Sequence, residues 1–304
     1  MMAEKEYAGV WSATPTPFTE EREIDGESVE RMIEHHISLG VDGLLVGGTC
    51  GEGPFMRRSQ LTELTTAAAG AARGRLHIAV QVTDNSPERV LDNASEAKRH
   101  GADVAVVAEP WFPHLRAGEK EFLNHYHRIA EDLPLPMGLY VREVCLSRDG
   151  YRRILMHPNV RLVKDSTMDI RLLQAALSAG EEKEDLVTMT GYEFGMAPYL
   201  KAGYDGVVAG GGIIIGAFAR RIREAVRNGN LEEARRLEEE TSRILHICYG
   251  GDDNASWLTG LKYTLVQMGI FNSGEGYMSF PFPDDAREEI DRFLEEEGDV
   301  LFEK

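Results

Sequence analysis

The chain has 304 residues, 42% hydrophobic and 28% charged, an ordinary globular composition with enough length to bury a large core without staples. Its 33 Lys and Arg against 51 Asp and Glu leave a formal charge of −18. That balance excludes a nucleic-acid binder, which needs a basic face, and speaks against docking on anionic lipid.

Apolar, β-rich runs and helix-like stretches alternate from the start. The first run, 9–15, precedes a helical pattern over Gly26–Leu39, where Val29, Met32, Ile33 and Ile37 recur at helical spacing. Runs at 41–47 and 76–83 follow. Asn85-Ser86-Pro87-Glu88 is a capped start with proline in the first turn, leading into a helix over 89–99. Next come strand candidates at 102–108, 137–141, 160–164, 186–190 and 205–209, separated by helix candidates at 119–131, 150–156, 170–179 and 196–201. Gly40, Gly74, Gly101 and Gly203 stand where helix ends are expected. Several runs are nearly continuous in Val, Leu, Ile and Ala, as strands covered on both faces are. Beyond the last run the pattern is helical only: 217–228, 231–247, 255–268 and 284–297, with Asn228-Gly229-Asn230 as a turn.

Eight strands with intervening helices predict an α/β chain folded as a (β/α)8 TIM barrel with a C-terminal helical appendix; a doubly wound open sheet is the competing topology. The expected division is a catalytic barrel over 1–225 and a helical region over 226–304 packed on it. The acid-rich stretches of the appendix carry apolar residues at helical spacing, so their acids should form solvated outer faces.

Cys50, Cys145 and Cys248 are odd in number, widely spaced and in no zinc-site pattern, so neither a disulfide framework nor a metal site is expected. The opening Met-Met-Ala-Glu-Lys-Glu-Tyr has no basic stretch followed by an apolar run, and no apolar run reaches membrane-spanning length. A cytoplasmic protein, not a membrane one, is expected.

Function in such a barrel sits at the C-terminal ends of the strands. The sixth strand candidate ends Leu162-Val163-Lys164-Asp165-Ser166, and alternation puts Lys164 on the face of Leu162 and Ser166. Desolvation inside a barrel favours the free amine, which can attack a ketone and form a Schiff base. Snorkelling to solvent, or pairing with Asp165, is the structural alternative. The fifth carries Tyr140 and Arg142 on one face; a buried phenol can relay protons, or simply fill the core. The second runs into Gly47-Gly48-Thr49-Cys50-Gly51-Glu52, whose glycines let successive N–H groups form an anion nest. Gly210-Gly211-Gly212, after the eighth, suits phosphate or close backbone packing equally. His35-His36 are adjacent on a helix and diverge, so surface or core positions suit them better than one metal. No histidine partner marks Cys50 as a nucleophile.

Together these residues resemble the dihydrodipicolinate synthase/N-acetylneuraminate lyase family of pyruvate-dependent class I aldolases. Ala13-Thr14-Pro15-Thr16-Pro17-Phe18 is similar to its first strand, and Gly48-Thr49-Cys50-Gly51-Glu52 to its Gly-Thr/Ser-Thr-Gly-Glu loop. Tyr140 falls on the family's catalytic tyrosine, Lys164 on its Schiff-base lysine, and Gly206-Val207-Val208 on the segment lining the pyruvate pocket. The resemblance implies an imine between Lys164 and a 2-oxo acid such as pyruvate. Tyr140 would shuttle protons with the Thr49 hydroxyl. Gly48, Thr49, Cys50 and Val208 would surround the bound pyruvate. It implies no metal and no cofactor, and a homo-oligomer, dimer or tetramer, with Phe112 near the tight interface.

The chain departs from the synthase pattern at four places. Cys50 replaces a threonine, Pro110-Trp111-Phe112 replaces a Pro-Tyr-Tyr segment, Cys145 replaces an arginine, and Tyr140-Val141-Arg142-Glu143 replaces Tyr-Asn-Val-Pro. These weigh against dihydrodipicolinate synthesis. Arg142, on the face of Tyr140, is then expected to grip an acidic or hydroxylated substrate tail, or to pair with Glu143 or Asp165. The leading expectation is a lyase or aldolase that cleaves or forms a C–C bond between pyruvate and an aldehyde, acting on a 2-oxo-3-deoxy sugar acid or related 2-oxo acid. A dehydratase using the same imine and 4-hydroxy-tetrahydrodipicolinate synthase are variants. A non-catalytic keto-acid-binding barrel is the reading from a different class.

Overall fold

In the computed structural model, which describes residues 4–110 and 118–302, eight parallel strands close into a barrel in sequence order. They are β1 (Gly9–Ser12), β2 (Gly43–Val46), β3 (His77–Gln81), β4 (Val104–Val107), β5 (Met137–Val141), β6 (Val160–Asp165), β7 (Val187–Thr190) and β8 (Gly206–Ala209). Closure is made by β8 pairing back on β1, Gly9 against Gly206 and Ser12 against Ala209. Helices α1 (Gly26–Leu39), α2 (Arg58–Ala72), α3 (Pro87–Arg99), α4 (Glu119–Asp132), α5 (Arg148–Leu155), α6 (Ile170–Glu182), α7 (Ala197–Ala202) and α8 (Gly212–Arg227) follow the strands in turn. The C-terminal region adds α9 (Leu231–Tyr249), α10 (Trp257–Gln267) and α11 (Asp284–Glu297).

Period-two alternation sorts the strand residues into two cores. Outward-facing Val10, Leu44, Ile78, Ala105, Leu139 and Val163 pack under the helices, while Trp11, Leu45, Ala79, Val106, Leu162, Met189 and Val208 fill the barrel interior. The helix ends follow local chemistry. Asp25 caps α1 by accepting from the Ser28 N–H at 3.2 Å, and Ser86 caps α3 by accepting from Arg89. Gly40, Gly74, Gly101 and Gly203 all take positive φ, as helix-end glycines do. The acids of α11 lie outward, with Ala286, Ile290 and Phe293 buried beneath it.

The sequence pattern misses two features. Helix α2 buries Gln60, Leu64, Thr65, Ala68 and Ala72, of which all but Leu64 are small or polar, so little apolar stripe is left to read. Helix α8 begins at Gly212, five residues before the expected start. Its β-branched Ile213, Ile214 and Ile215 are fully buried, so packing overrides their modest helix propensity. A Cβ on Gly212 would lie 2.8 Å from Ser12 Cα, so close backbone packing explains that glycine.

His36 is wholly buried in α1, and its Nδ1 donates to the Met32 carbonyl at 2.8 Å. Burial drags its imidazole down to about 3, with neighbouring His35 adding to the effect. The unfolded chain takes up this proton near pH 6.5 and the folded chain does not, so stability falls as pH drops from about 6.5 toward 3. Replacing His36 with leucine is expected to remove about 2 kcal/mol of the stability lost between pH 7 and pH 5. Urea unfolding at both pH values measures this; parallel losses in variant and wild type would remove His36 as a source of acid sensitivity.

Candidate active site

Strand register staggers the barrel interior into layers of four side chains drawn from alternate strands. Trp11, Ala79, Gly138 and Met189 form a lower layer. Leu45, Val106, Lys164 and Val208 form the next, so the only charge in this layer rises from an apolar floor. Ala13, Gln81, Tyr140 and Gly191 stand above it. Gly47, Ala108, Ser166 and Gly210, all of them small, form the rim above Lys164.

Lys164 is 6% exposed, and its Nζ lies 4.4 Å from the centroid of the Tyr140 ring. Tyr140 is its direct register partner on β5. Asp165, the alternative partner, faces the other way: Oδ1 accepts from the Thr167 N–H and hydroxyl, and Oδ2 from Tyr204. Gly191 makes room for the lysine, because a Cβ there would sit 2.9 Å from Lys164 Cε and 1.9 Å from Ser166 Oγ.

The loop after β2 turns sharply over the mouth. Gly53 lies so close to this turn that a Cβ would meet the Gly47 carbonyl oxygen at 1.8 Å. The Thr49 hydroxyl is buried without a hydrogen-bond partner among the described residues. Neither the Thr49 nor the Cys50 amide donates to a backbone carbonyl there. Cys50 Sγ lies 3.0 Å from the Cβ position of Gly210, across the rim. Burial pushes its thiol up to about 12, partly offset by the Lys164 charge, so Cys50 is a neutral wall and not a thiolate.

Arg142 pairs with neither Glu143 nor Asp165. Its Nε donates to Glu109 Oε2 at 3.0 Å, and its backbone N–H donates to Glu109 Oε1 at 2.8 Å. Glu109, just past β4 and 4% exposed, is a buried carboxylate that no sequence motif marks. Glu193, after β7, is a half-buried one. Its Oε2 accepts from the Gly211 N–H at 2.6 Å and its Oε1 from the Tyr249 hydroxyl at 3.0 Å. Burial raises this carboxyl, while those donors and Lys164 hold it down. The signal was present: Thr190-Gly191-Tyr192-Glu193 closes a strand with polar residues, the criterion that selected Lys164 and Tyr140.

Glu52 supports the loop from below. It is fully buried in left-handed backbone, φ 56°, and its Oε1 accepts from Lys262 Nζ of α10 at 2.5 Å. Its Oε2 accepts from the Met278 N–H at 2.8 Å, and Lys262 also donates to the Glu275 carbonyl at 2.7 Å. Burial pulls the Lys262 ammonium down and Glu52 pushes it back up. Replacing Lys262 with methionine leaves a carboxylate unpaired in the core, and is expected to cost about 3–5 kcal/mol in denaturant unfolding. Adding Glu52→Gln should recover part of that loss. A single variant as stable as wild type would show that the pair does not anchor the loop.

Trp111 and Phe112, expected to lack the relay hydroxyl and to approach a subunit interface, lie outside the described residues. The three cysteines are free. Among the described residues, no group of three or more His, Cys, Asp or Glu is placed to hold a metal ion, and no helix is long and apolar enough to cross a membrane.

The chain matches the model of the dihydrodipicolinate synthetase family over residues 6–294. It is 24% identical to 4-hydroxy-tetrahydrodipicolinate synthase of Chlorobium luteolum over 306 aligned residues, covering 97% of this chain and 98% of the relative. It is 29% identical to N-acetylneuraminate lyase of Salmonella paratyphi B over 273 residues, covering 88% and 89%. The structure of dihydrodipicolinate synthase from Bacteroides thetaiotaomicron superposes with a TM-score of 0.87 at 29% identity, over 96% of this chain and 99% of that one.

Proposed function

The chain belongs to the dihydrodipicolinate synthetase family, and from that premise we propose that it is a lyase acting on a 2-oxo-3-deoxy sugar acid or a similar pyruvate adduct. It is a class I, Schiff-base-forming, pyruvate-dependent enzyme, as its family is. The observation that supports the assignment to residues is the geometry of Lys164, a buried amine beneath a rim of small residues with the Tyr140 ring against it.

In the proposed sequence, Lys164 Nζ adds to the C2 carbonyl and water leaves, giving a protonated imine. The imine accepts the electron pair of the C3–C4 bond as it breaks, while Tyr140 takes the proton of the C4 hydroxyl. An aldehyde departs. The enamine is protonated at C3, and water releases pyruvate from the lysine. The Thr49 hydroxyl, with no other buried partner, can pass the proton between Tyr140 and the substrate. The Thr49 and Cys50 amides face the substrate carboxylate, with Gly48 and Val208 framing it. Arg142 lies at the mouth with Glu109 as counterion, within reach of a polar substrate tail. A homo-oligomer, dimer or tetramer, belongs to this reading and is read directly by light scattering.

The synthase reading stands equally on the comparisons, since the matched relatives include a 4-hydroxy-tetrahydrodipicolinate synthase. A dehydratase would use the same imine and expel a β-hydroxyl. One experiment separates these: borohydride reduction with pyruvate, read by mass at Lys164, followed by a panel of 2-oxo-3-deoxy acids and of pyruvate with aspartate semialdehyde. An adduct at Lys164 and pyruvate release from a sugar acid support the lyase. Condensation with the semialdehyde would make it the synthase, and folded protein without any adduct would leave a binding barrel.

A further inference from the structure

Gln81 closes β3 with its side chain inside the barrel, 4% exposed. Neither its Oε1 nor its Nε2 has a hydrogen-bond partner among the described residues. An amide buried with both ends unpaired destabilises the fold, and an apolar side chain of the same length would serve packing better. Its location says what the amide is for. It shares a layer with Ala13, Tyr140 and Gly191, one level above Lys164. Ala13 and Gly191 add almost no bulk, so Gln81 and Tyr140 are the two long side chains of that layer. Gln81 Oε1 lies 3.6 Å from the Cβ position of Gly48, beside the loop that faces the carboxylate. An open groove of about 780 Å³, lined by Met56, Leu61 and Asn85 among others, also reaches Gly47 and Gln81.

We propose that Gln81 is a substrate-positioning residue whose amide binds a hydroxyl on the substrate chain beyond the imine carbon, selecting hydroxylated 2-oxo acids over plain pyruvate. The chemistry favours a hydroxyl. An amide offers one donor group and one acceptor, and a hydroxyl matches both. A carboxylate only accepts, and the proposed site assigns the one at C1 to the Thr49 and Cys50 amides. The inference rests on the Schiff-base reading of Lys164.

The test is borohydride trapping titrated with two acids, pyruvate and 4,5-dihydroxy-2-oxopentanoate, on wild type and Gln81→Met. Trapping needs only imine formation, so it works whether or not either acid is turned over. Wild type should be half-saturated at a lower concentration of the dihydroxy acid than of pyruvate. In Gln81→Met that concentration should rise roughly ten- to hundredfold for the dihydroxy acid and less than about twofold for pyruvate. The melting temperature should hold or rise, because a buried unpaired amide has been removed. A structural role would instead lower the melting temperature and shift both acids together, and that result overturns the proposal. So does wild type that traps pyruvate but gains nothing from the hydroxyls. Wild type that traps neither acid sinks the Schiff-base reading of Lys164 and this inference with it.

Discussion

Lys164→Ala should form no reducible adduct with pyruvate and should lose turnover on the order of 10⁵-fold or more, because the covalent route disappears with the amine. The fold should survive. Lys164 lies one residue before the end of its strand, and no ion pair or hydrogen bond from its Nζ to the described residues is lost with it. Lys164→Met keeps the volume of the side chain and should behave the same, which separates lost chemistry from a lost contact. Folded Lys164→Met that still turns over the substrate of wild type would remove the imine from the mechanism.

Tyr140→Phe should slow turnover by about 10²–10⁴-fold, the usual worth of a positioned proton-transfer group. Half-saturation in the trapping assay should change little. The reason is geometric: the contact with Lys164 is made by the ring face, 4.4 Å from centroid to Nζ, and phenylalanine keeps the ring. Only the hydroxyl goes. A kcat deficit without a binding deficit is the signature of a group needed in the transition state. Equal turnover would assign the proton to Thr49 or water, and a large loss of trapping would make Tyr140 a wall of the binding site.

The barrel was legible from the chain because parallel strands covered on both faces read as short, continuous apolar runs, and one of the helices between them carries a recognisable cap at Ser86. Helix α2 was not, because a helix can be buried through Ala68, Ala72 and Thr65 without writing an apolar stripe. Lys164, Tyr140 and the Thr49–Cys50 loop were legible as polar groups at strand ends, sharpened by the family resemblance. Glu109, Glu193 and Gln81 obey the same rule at the ends of β4, β7 and β3, yet carry no motif to single them out. The Glu109–Arg142 pairing could not be read, since thirty-three positions of chain separate the partners and only the pairing of β4 with β5 brings them together. Lys262 was hidden for a stronger reason: a lysine in a helical pattern reads as solvated, and its partner Glu52 is 210 positions away.

Tyr249 of α9 holds Glu193, in the loop after β7, and Lys262 of α10 holds Glu52, in the loop after β2. The C-terminal helices therefore clamp these two loops. For anyone transplanting the layers around Lys164 into another (β/α)8 scaffold, the unit of exchange is the barrel together with both clamps. A graft of strands and loops alone would carry Lys164 but not the contacts that hold the β2 and β7 loops in place. By the same logic, a new specificity is better sought at rim positions that no clamp touches, such as Ala108 and Ser166, than in the β2 loop, whose shape is written partly by residues near the far end of the chain.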